Sequence, residues 1–140
     1  MGAPYYGAYA AQEAMANGSY IAQLDNGSSA YAVYVIYDSA SEPLRAMLYN
    51  SEYYAGSGTR STSKFTLSGI SGTSVKSKRL TAASALSRAD NGGAPSWGGQ
   101  QFEDVTCNIK GTETYESTAV SSGGATFSVA ASEALLVYLQ

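Results

Sequence analysis

The first part of the chain has the composition and spacing of one short helix. Residues 5–17 read YYGAYAAQEAMAN, which is rich in alanine and contains no β-branched residue, so intrinsic propensity favours a helix. Tyr5 and Tyr9 fall near one line at helical spacing, and Gly18 follows as a stop signal. We therefore predict a helix over residues 5–17.

After Gly18 the hydrophobic pattern changes to that of short strands. Apolar runs that alternate with polar residues or are rich in β-branched and aromatic residues recur between Gly, Ser, Pro and Asn-Gly turn signals. Strands are predicted at 20–24, 30–38, 44–50, 60–67, 75–81, 101–107, 113–118, 126–129 and 133–139. We expect 30–38 and 44–50 to form a hairpin, 51–59 to be a loop, and 82–95 to be irregular with about one helical turn.

This order of elements predicts a mainly β protein. Strands follow one another with turns between them, and no helices alternate with them as a parallel βαβ sheet requires. The expected architecture is an antiparallel β-sandwich, Greek-key-like, preceded by one short N-terminal helix. At 140 residues the chain has no room for a second sizeable domain.

The composition excludes most catalytic chemistry. The chain has no His and one Cys, Cys107, which excludes His-dependent nucleophiles, His-containing zinc sites, Cys-ligated clusters and an internal disulfide. No cofactor and no metal is expected. The net charge of −3 argues against nucleic acid as a partner, and no apolar run is long enough for a membrane span. Cys107 lies in a predicted strand without a His to activate it, so we interpret it as a buried, inert thiol.

The abundance of hydroxyl residues is typical of a secreted protein. The sequence has 21 Ser and 10 Thr with few Lys and Glu, although its start lacks the basic and apolar regions of a signal peptide. Asn17 and Asn26 each begin an Asn-Gly-Ser triplet, so both are candidate N-glycosylation sites. The alternative is that the two triplets are only Asn-Gly turns.

Carboxylate pairs give weak candidates for catalysis. A glycosidase pair needs one raised and one ordinary pKa, with the two groups about 5–9.5 Å apart. Glu103 and Asp104 are adjacent, and Glu113 and Glu116 are three residues apart, so the members of each pair would point to opposite sides of a strand. We interpret both pairs as solvated surface residues.

Loop aromatics are the other candidates. Tyr53 and Tyr54 lie in a glycine-rich loop, and Trp97 precedes two glycines. Aromatic rings on loops can stack on the apolar faces of sugars, so these three are candidate carbohydrate-binding residues, with core packing as the alternative. The tyrosines of the 30–38 strand are interpreted as core residues.

The order of several segments resembles one known family. The segments are PYYGAYAAQEAMANG, YAVYVIYDSASEPLRAMLYNSEYY, VKSKRLTAASA, SWGGQQFED and VAASEALLVYL. Together they are similar to the C-terminal β domain of glycoside hydrolase family 79, the β-glucuronidase and heparanase-related group, especially its fungal members. The resemblance covers nearly the whole chain and depends on the order of the segments, since none of them is a diagnostic motif.

The resemblance implies a non-catalytic domain. Family members carry a nucleophile and an acid/base glutamate, which work by retention, in an N-terminal (β/α)₈ barrel, so no catalytic residue is expected in this chain. Residues 1–18 would be the last helix of that barrel, and residues 19–140 the C-terminal β-sandwich that packs on it. Trp97 would be packed, and Gln100 or Glu103 would tie down a turn.

Three functions remain to be separated. The first is an accessory, structural β-sandwich of a secreted, β-glucuronidase-like hydrolase, with the catalytic barrel as its partner. The second is an autonomous lectin-like module that binds a glycan through loop aromatics, and the third is a small glycosidase that uses Glu103 with another carboxylate. Without a barrel, Tyr5, Tyr6 and Tyr9 are expected to form an exposed apolar patch, or one closed by assembly into a homo-oligomer.

Overall fold

The computed structural model describes residues 3–27 and 29–140, which form one α-helix and eleven strands. The elements are α1 Ala3–Met15, β1 Tyr20–Gln23, β2 Tyr31–Tyr37, β3 Pro43–Asn50, β4 Thr62–Ser68, β5 Ser74–Thr81, β6 Ser96–Trp97, β7 Gln101–Phe102, β8 Ile109–Lys110, β9 Glu116–Ala119, β10 Gly124–Ala130 and β11 Glu133–Tyr138. One 3₁₀ turn, Ala89–Asn91, lies between β5 and β6. Within these residues no helix is long and apolar enough to cross a bilayer.

The main sheet is antiparallel and has the strand order β1-β2-β3-β11-β5-β6, with β9 also paired to β5. Strands β4 and β10 form a second, two-stranded sheet, and β7 and β8 form a short ladder. The mainly β, sandwich-like fold with one N-terminal helix is therefore confirmed, as is the β2–β3 hairpin, in which Val35 lies opposite Ala46.

The main sheet is covered on both faces. On one face the β4–β10 sheet packs over it and creates a core of aliphatic and aromatic residues, which we call the β core: Val35, Ala46, Leu48, Phe65, Ile70, Val75, Ala125, Phe127, Val129, Leu135 and Val137. On the other face α1 and the 95–103 segment create the helix core: Tyr6, Ala10, Ala14, Ile36, Trp97, Phe102 and Leu136. Successive residues of β11 point alternately into the β core and into the helix core. Because both faces of this central strand are buried, its sequence is continuously apolar and does not alternate with polar residues.

The inner face of α1 is built from small and aromatic side chains. Ala10 and Ala14 are buried against the sheet, and the Phe102 backbone N–H donates to the Tyr6 hydroxyl at 2.9 Å. The Phe102 ring lies 4.9 Å from the ring of Tyr5, 5.3 Å from that of Tyr6 and 5.2 Å from that of Tyr9, each in an edge-to-face arrangement. The helix predicted over 5–17 is thus observed, two residues earlier at each end.

The predicted exposed tyrosine patch is wrong for Tyr6. Its side chain is fully buried, Tyr9 is half-buried, and Tyr5 alone of the three is exposed. The reason is that the 95–103 segment folds back over α1 and brings Phe102 against all three rings, so the chain covers most of this surface itself.

The strand predicted over 101–107 ends at Phe102. Residues 103–107 form a turn in which the Cys107 N–H donates to the Glu103 carbonyl at 3.1 Å, and Cys107 has the left-handed φ of 60°. Cys107 is exposed, so its interpretation as a buried thiol is wrong. Its position in the turn, outside any ladder, is the physical reason.

The aromatic cluster around Phe102 makes a specific stability prediction. Phe102→Ala should lower the free energy of unfolding by about 3–5 kcal/mol, because it removes a buried ring and leaves a cavity beside three tyrosines. Val105→Ala, at a side chain that is 93% exposed, should change it by less than about 0.5 kcal/mol. Urea unfolding followed by circular dichroism measures both, and equal effects of the two substitutions would contradict the proposed packing.

Candidate functional site

Charged side chains gather between α1 and the main sheet. Lys78 of β5 points toward α1, and its side chain is 1% exposed. Its Nζ lies 2.9 Å from Glu13 Oε2 and 2.5 Å from Glu113 Oε1, and 5.2 Å from the centre of the Trp97 ring. A buried ammonium is tolerated only when it is paired, and these contacts supply the pairing.

Glu13 joins α1 to three strands. Lys78 Nζ of β5 and Trp97 Nε1 of β6 both donate to Oε2, the latter at 2.7 Å, and the Tyr138 hydroxyl of β11 donates to Oε1. Glu13 can reach them because it lies on the inner face of α1, seven residues after Tyr6. We call Glu13, Lys78, Trp97, Glu113 and Tyr138 the helix–sheet cluster.

The electrostatics of this cluster are those of a structural ion pair. Burial raises the pKa of Glu13, but hydrogen bonds from Tyr138, Trp97 and Lys78 outweigh it and leave the pKa below its ordinary value. Burial lowers the pKa of Lys78, but hydrogen bonds to Glu113 and Glu13 raise it above its ordinary value. A glycosidase acid needs a raised carboxyl pKa, and the environment of Glu13 has the opposite effect.

The C-terminus of α1 is held by a distant arginine. Arg45 of β3 donates from Nη1 to the carbonyls of Ala14, at 3.2 Å, and Ala16, at 2.7 Å. These carbonyls have no partner within a helix that ends at Met15, and the positive charge also suits the negative end of the helix dipole. Arg45 therefore supplies a cap that the sequence of α1 itself lacks.

A second ionic group lies on the opposite face of β5. Arg79 donates to both carboxylate oxygens of Glu116, at 2.6 and 2.8 Å, and to Glu133 at 2.7 Å. The Thr81 hydroxyl also donates to Glu133, at 2.6 Å. Burial raises the pKa of Glu133, but these donors outweigh it and hold the pKa below its ordinary value. The group fastens β9 and β11 to β5.

The sequence-predicted carboxylates therefore lie apart. Glu113 binds Lys78 on the α1 side of the sheet, whereas Glu116 binds Arg79 on the β-core side. Both are exposed surface residues, as interpreted, with 42% and 47% of the side chain accessible, and each also belongs to an ion pair. Glu103 and Asp104 are exposed in the turn after β7, where the Glu103 carboxylate accepts a hydrogen bond from the Thr106 hydroxyl. Within the described residues no group of three or more acidic, Cys or His side chains could hold a metal ion.

The three candidate sugar-binding aromatics do not share a surface. Trp97 is fully buried, because β6 pairs with β5 and places Trp97 opposite Leu80, beneath α1. Tyr54 is half-buried, with the Arg60 guanidinium 5.1 Å above its ring, while Tyr53 is 66% exposed. The platform predicted from Tyr53, Tyr54 and Trp97 is not formed, and the core-packing alternative holds for Trp97.

Both candidate glycosylation asparagines are exposed and lie in turns. Asn17 follows α1 with the left-handed φ of 59°, and Asn26 lies after β1 in a turn where the Asp25 carboxylate accepts the Gly27 N–H. Ser28, the third residue of the second triplet, lies outside the described residues. Glycosylation of Asn17 and Asn26 stays a prediction.

Sequence reasoning missed the helix–sheet cluster. Glu13 lies in the helix predicted over 5–17 and Lys78 in the strand predicted over 75–81, but the sequence pattern assigns neither of them a partner. One signal was present: Glu13 is the sole charged residue among the first 24 residues, on an otherwise uncharged helix. A lone charge on a helix that must pack against a sheet indicates a buried partner of opposite sign.

Comparison with known proteins identifies similar sequences and structures. The pattern described as glycosyl hydrolase family 79 C-terminal beta domain matches residues 30–136. A 4-O-alpha-L-rhamnosyl-beta-D-glucuronidase from Fusarium oxysporum 12S, solved in its Rha-GlcA complex, is similar with 52% sequence identity and a TM-score of 0.96. The match covers 99% of this chain and 30% of that chain, so this chain spans less than a third of the enzyme. No curated protein matches the sequence.

The helix–sheet cluster predicts how Glu13 contributes to stability. Glu13→Gln should lower the free energy of unfolding by about 2 kcal/mol at neutral pH, because it weakens three hydrogen bonds and leaves Lys78 with one carboxylate. Glu103→Gln, at an exposed turn residue, is the matched control and should change it by less than about 0.5 kcal/mol. Urea unfolding monitored through the fluorescence of Trp97, the sole tryptophan, reports directly on the cluster.

The contribution of Glu13 to the stability of the fold should change with pH in a defined direction. Since folding lowers the pKa of Glu13, its stabilisation is fully present above the ordinary value of 4.5 and is lost as the pH falls from there through the lowered value. The difference in stability between the native chain and Glu13→Gln should therefore shrink on acidification. A constant difference down to pH 2.5, roughly two units below that ordinary value, would contradict the assigned role.

Proposed function

This chain belongs to the glycosyl hydrolase family 79 C-terminal β domains, and from that membership we propose that it is the non-catalytic accessory domain of a larger, β-glucuronidase-like glycoside hydrolase. Its role is to pack against a catalytic barrel and support it. The catalytic glutamates belong to the barrel, outside the region that this chain matches.

The ion pairs and the pKa values of the carboxylates are the main support for a non-catalytic role. Among the described residues, Glu13, Glu113, Glu116 and Glu133 are held by Lys78 or Arg79 in structural ion pairs. Every carboxyl in this part of the chain whose pKa departs from its ordinary value is shifted downward. Hydrolysis of a glycosidic bond needs one carboxyl shifted upward beside an ionised one, so the geometry favours support over catalysis.

The outer surface of α1 supports a large packing partner. Its exposed residues are uncharged: Pro4, Tyr5, Gly7, Ala8, Ala11, Gln12 and Met15. A helix without charge on its outer face is typical of one buried between two bodies. The similar Fusarium enzyme has more than three times the length matched here, which is ample polypeptide to supply the second body. We assign the catalytic barrel to this surface, with self-association of the isolated chain as the competing occupant.

We also propose the location and the substrate class of the parent enzyme. The hydroxyl-rich composition and the exposed Asn17 and Asn26 favour a secreted fungal protein with N-linked glycans. Because the similar enzyme is a rhamnosyl-glucuronidase, glucuronides are the proposed substrate class of the parent. The lectin-like alternative built on Tyr53, Tyr54 and Trp97 loses its support, since Trp97 is buried.

A hybrid enzyme tests the packing surface. The matching part of the Fusarium enzyme would be replaced by this chain, and Ala11→Glu would place a charge on the outer face of α1. We expect the hybrid to lose about 4 °C or more in melting temperature, because a carboxylate buried without a partner is costly. Glucuronidase activity at low temperature should persist. Ser68→Glu, exposed on the far sheet, should leave the hybrid unchanged.

The isolated chain provides the complementary measurement. Ala11→Glu should hardly alter its melting temperature, since the residue is solvent-exposed there. Light scattering of the unmodified chain shows whether α1 is instead covered by a second copy. Equal destabilisation of hybrid and isolated chain, or none in the hybrid, would refute docking through α1.

Absence of catalysis in the isolated chain can be checked directly. The chain should hydrolyse an aryl β-glucuronide no faster than buffer does, because Glu13 and Glu133 are engaged in ion pairs and burial does not raise the pKa of either above its ordinary value. Turnover that disappears in Glu103→Gln would overturn the accessory role in favour of a small glycosidase.

A further inference from the structure

A groove of about 300 Å³ opens beside the first turn of α1. Its floor follows from strand register, since Ala134 of β11 lies directly between Tyr49 of β3 and Leu80 of β5. The single methyl group of Ala134, flanked by two large side chains on the same face of the sheet, leaves a depression. Tyr6 of α1 also lines it.

The rim of the groove is fixed by hydrogen bonds between loops. The Ala85 N–H donates to the Tyr54 carbonyl at 2.8 Å, which ties the 82–95 segment to the 51–59 loop. The Tyr54 N–H donates to the Ser132 hydroxyl at 3.1 Å, and the Ser84 N–H donates to the Ser87 hydroxyl at 2.9 Å. A ligand would therefore meet a groove that is already formed and would lose little free energy in ordering it.

The lining combines aromatic rings with hydroxyl groups. Tyr49 is 43% exposed and Tyr53 is 66% exposed, so both rings are available at the rim. Serine and threonine residues supply the polar part of the lining, and their hydroxyls, although hydrogen-bonded within the chain, keep oxygen lone pairs that can accept a hydrogen bond: Ser51, Thr81, Ser84, Ser87 and Ser132. Glu133 is the charged residue of the lining, and its carboxylate is already bound to Arg79 and Thr81.

We propose that this groove is a binding subsite for one neutral sugar unit of a glycan. A pyranose offers an apolar C–H face to a tyrosine ring and hydroxyl groups to serine and threonine, which is the combination that lines the groove. A uronic acid would find no unpaired cation among the lining residues, so a neutral unit fits better. The subsite differs from the Tyr53–Tyr54–Trp97 platform, and binding to it requires no catalytic barrel.

Nuclear magnetic resonance of the ¹⁵N-labelled chain tests the proposal. Methyl glycosides of glucose, galactose and rhamnose would be titrated in turn, with methyl β-glucuronide as the charged comparison. At least one neutral glycoside should shift the amide signals of Ser51, Ser84, Ala85 and Ala134 and bind more tightly than the glucuronide. Shifts elsewhere only, equal binding of the glucuronide, or no shifts up to the solubility limit would overturn the proposal.

Variants separate the groove from general surface binding. Tyr53→Ala should weaken binding by about threefold to tenfold, the range expected for loss of one aromatic contact. Ala134→Leu should abolish binding by filling the floor, and an unchanged signal pattern outside the groove would verify that it folds. Tyr20→Ala removes another exposed tyrosine, 44% accessible, on the edge strand β1 and should leave binding unchanged. Equal loss in Tyr20→Ala and Tyr53→Ala would refute the subsite.

Discussion

The ionic link between α1 and the main sheet depends on a single carboxylate, that of Glu13. Glu13 accepts hydrogen bonds from β5, β6 and β11, which are the strands that form one half of the main sheet. The rest of the inner face of α1 is apolar: Tyr6 is fully buried beside Phe102, and Ala10 and Ala14 lie against the sheet. Apolar packing is not directional, whereas the hydrogen bonds of Glu13 fix the position of the helix on the strands. Together with Glu113, Glu13 also accounts for the burial of Lys78, which would be an unpaired charge in a core without the two carboxylates.

The two faces of β5 show how the chain uses charge for construction. Lys78 and Arg79 are neighbours, yet they point to opposite sides and bind carboxylates from four other segments: α1, the 111–115 loop, β9 and the start of β11. On each face of the main sheet, an apolar core is therefore bordered by a group of ion pairs. These carboxylates are bound in ion pairs that hold elements together, which is consistent with a domain that supports catalysis carried out elsewhere.

Much of the architecture could be predicted from local pattern, whereas the contacts between distant segments could not. The helix, the β2–β3 hairpin and β11 follow from alanine content, alternation and a continuous apolar run. Strands β6 and β8 are two residues long, too short for any periodicity to reveal. Nothing local distinguishes buried Lys78 from exposed Lys76, because the partners of Lys78 lie 65 and 35 residues away. For the same reason the sequence could not decide between a sugar-binding and a packed Trp97, since the burial of Trp97 depends on the edge that β6 joins.

The topology places the last strand of the sequence at the centre of the main sheet. β11 pairs with β3 on one side and β5 on the other, and its residues belong to both cores. A growing polypeptide that has not yet supplied 133–138 would expose the apolar faces of two half-sheets with open edges. The fold can therefore form only after residues 133–138 have been synthesised, and a truncation that removes them would take out the central strand of the main sheet.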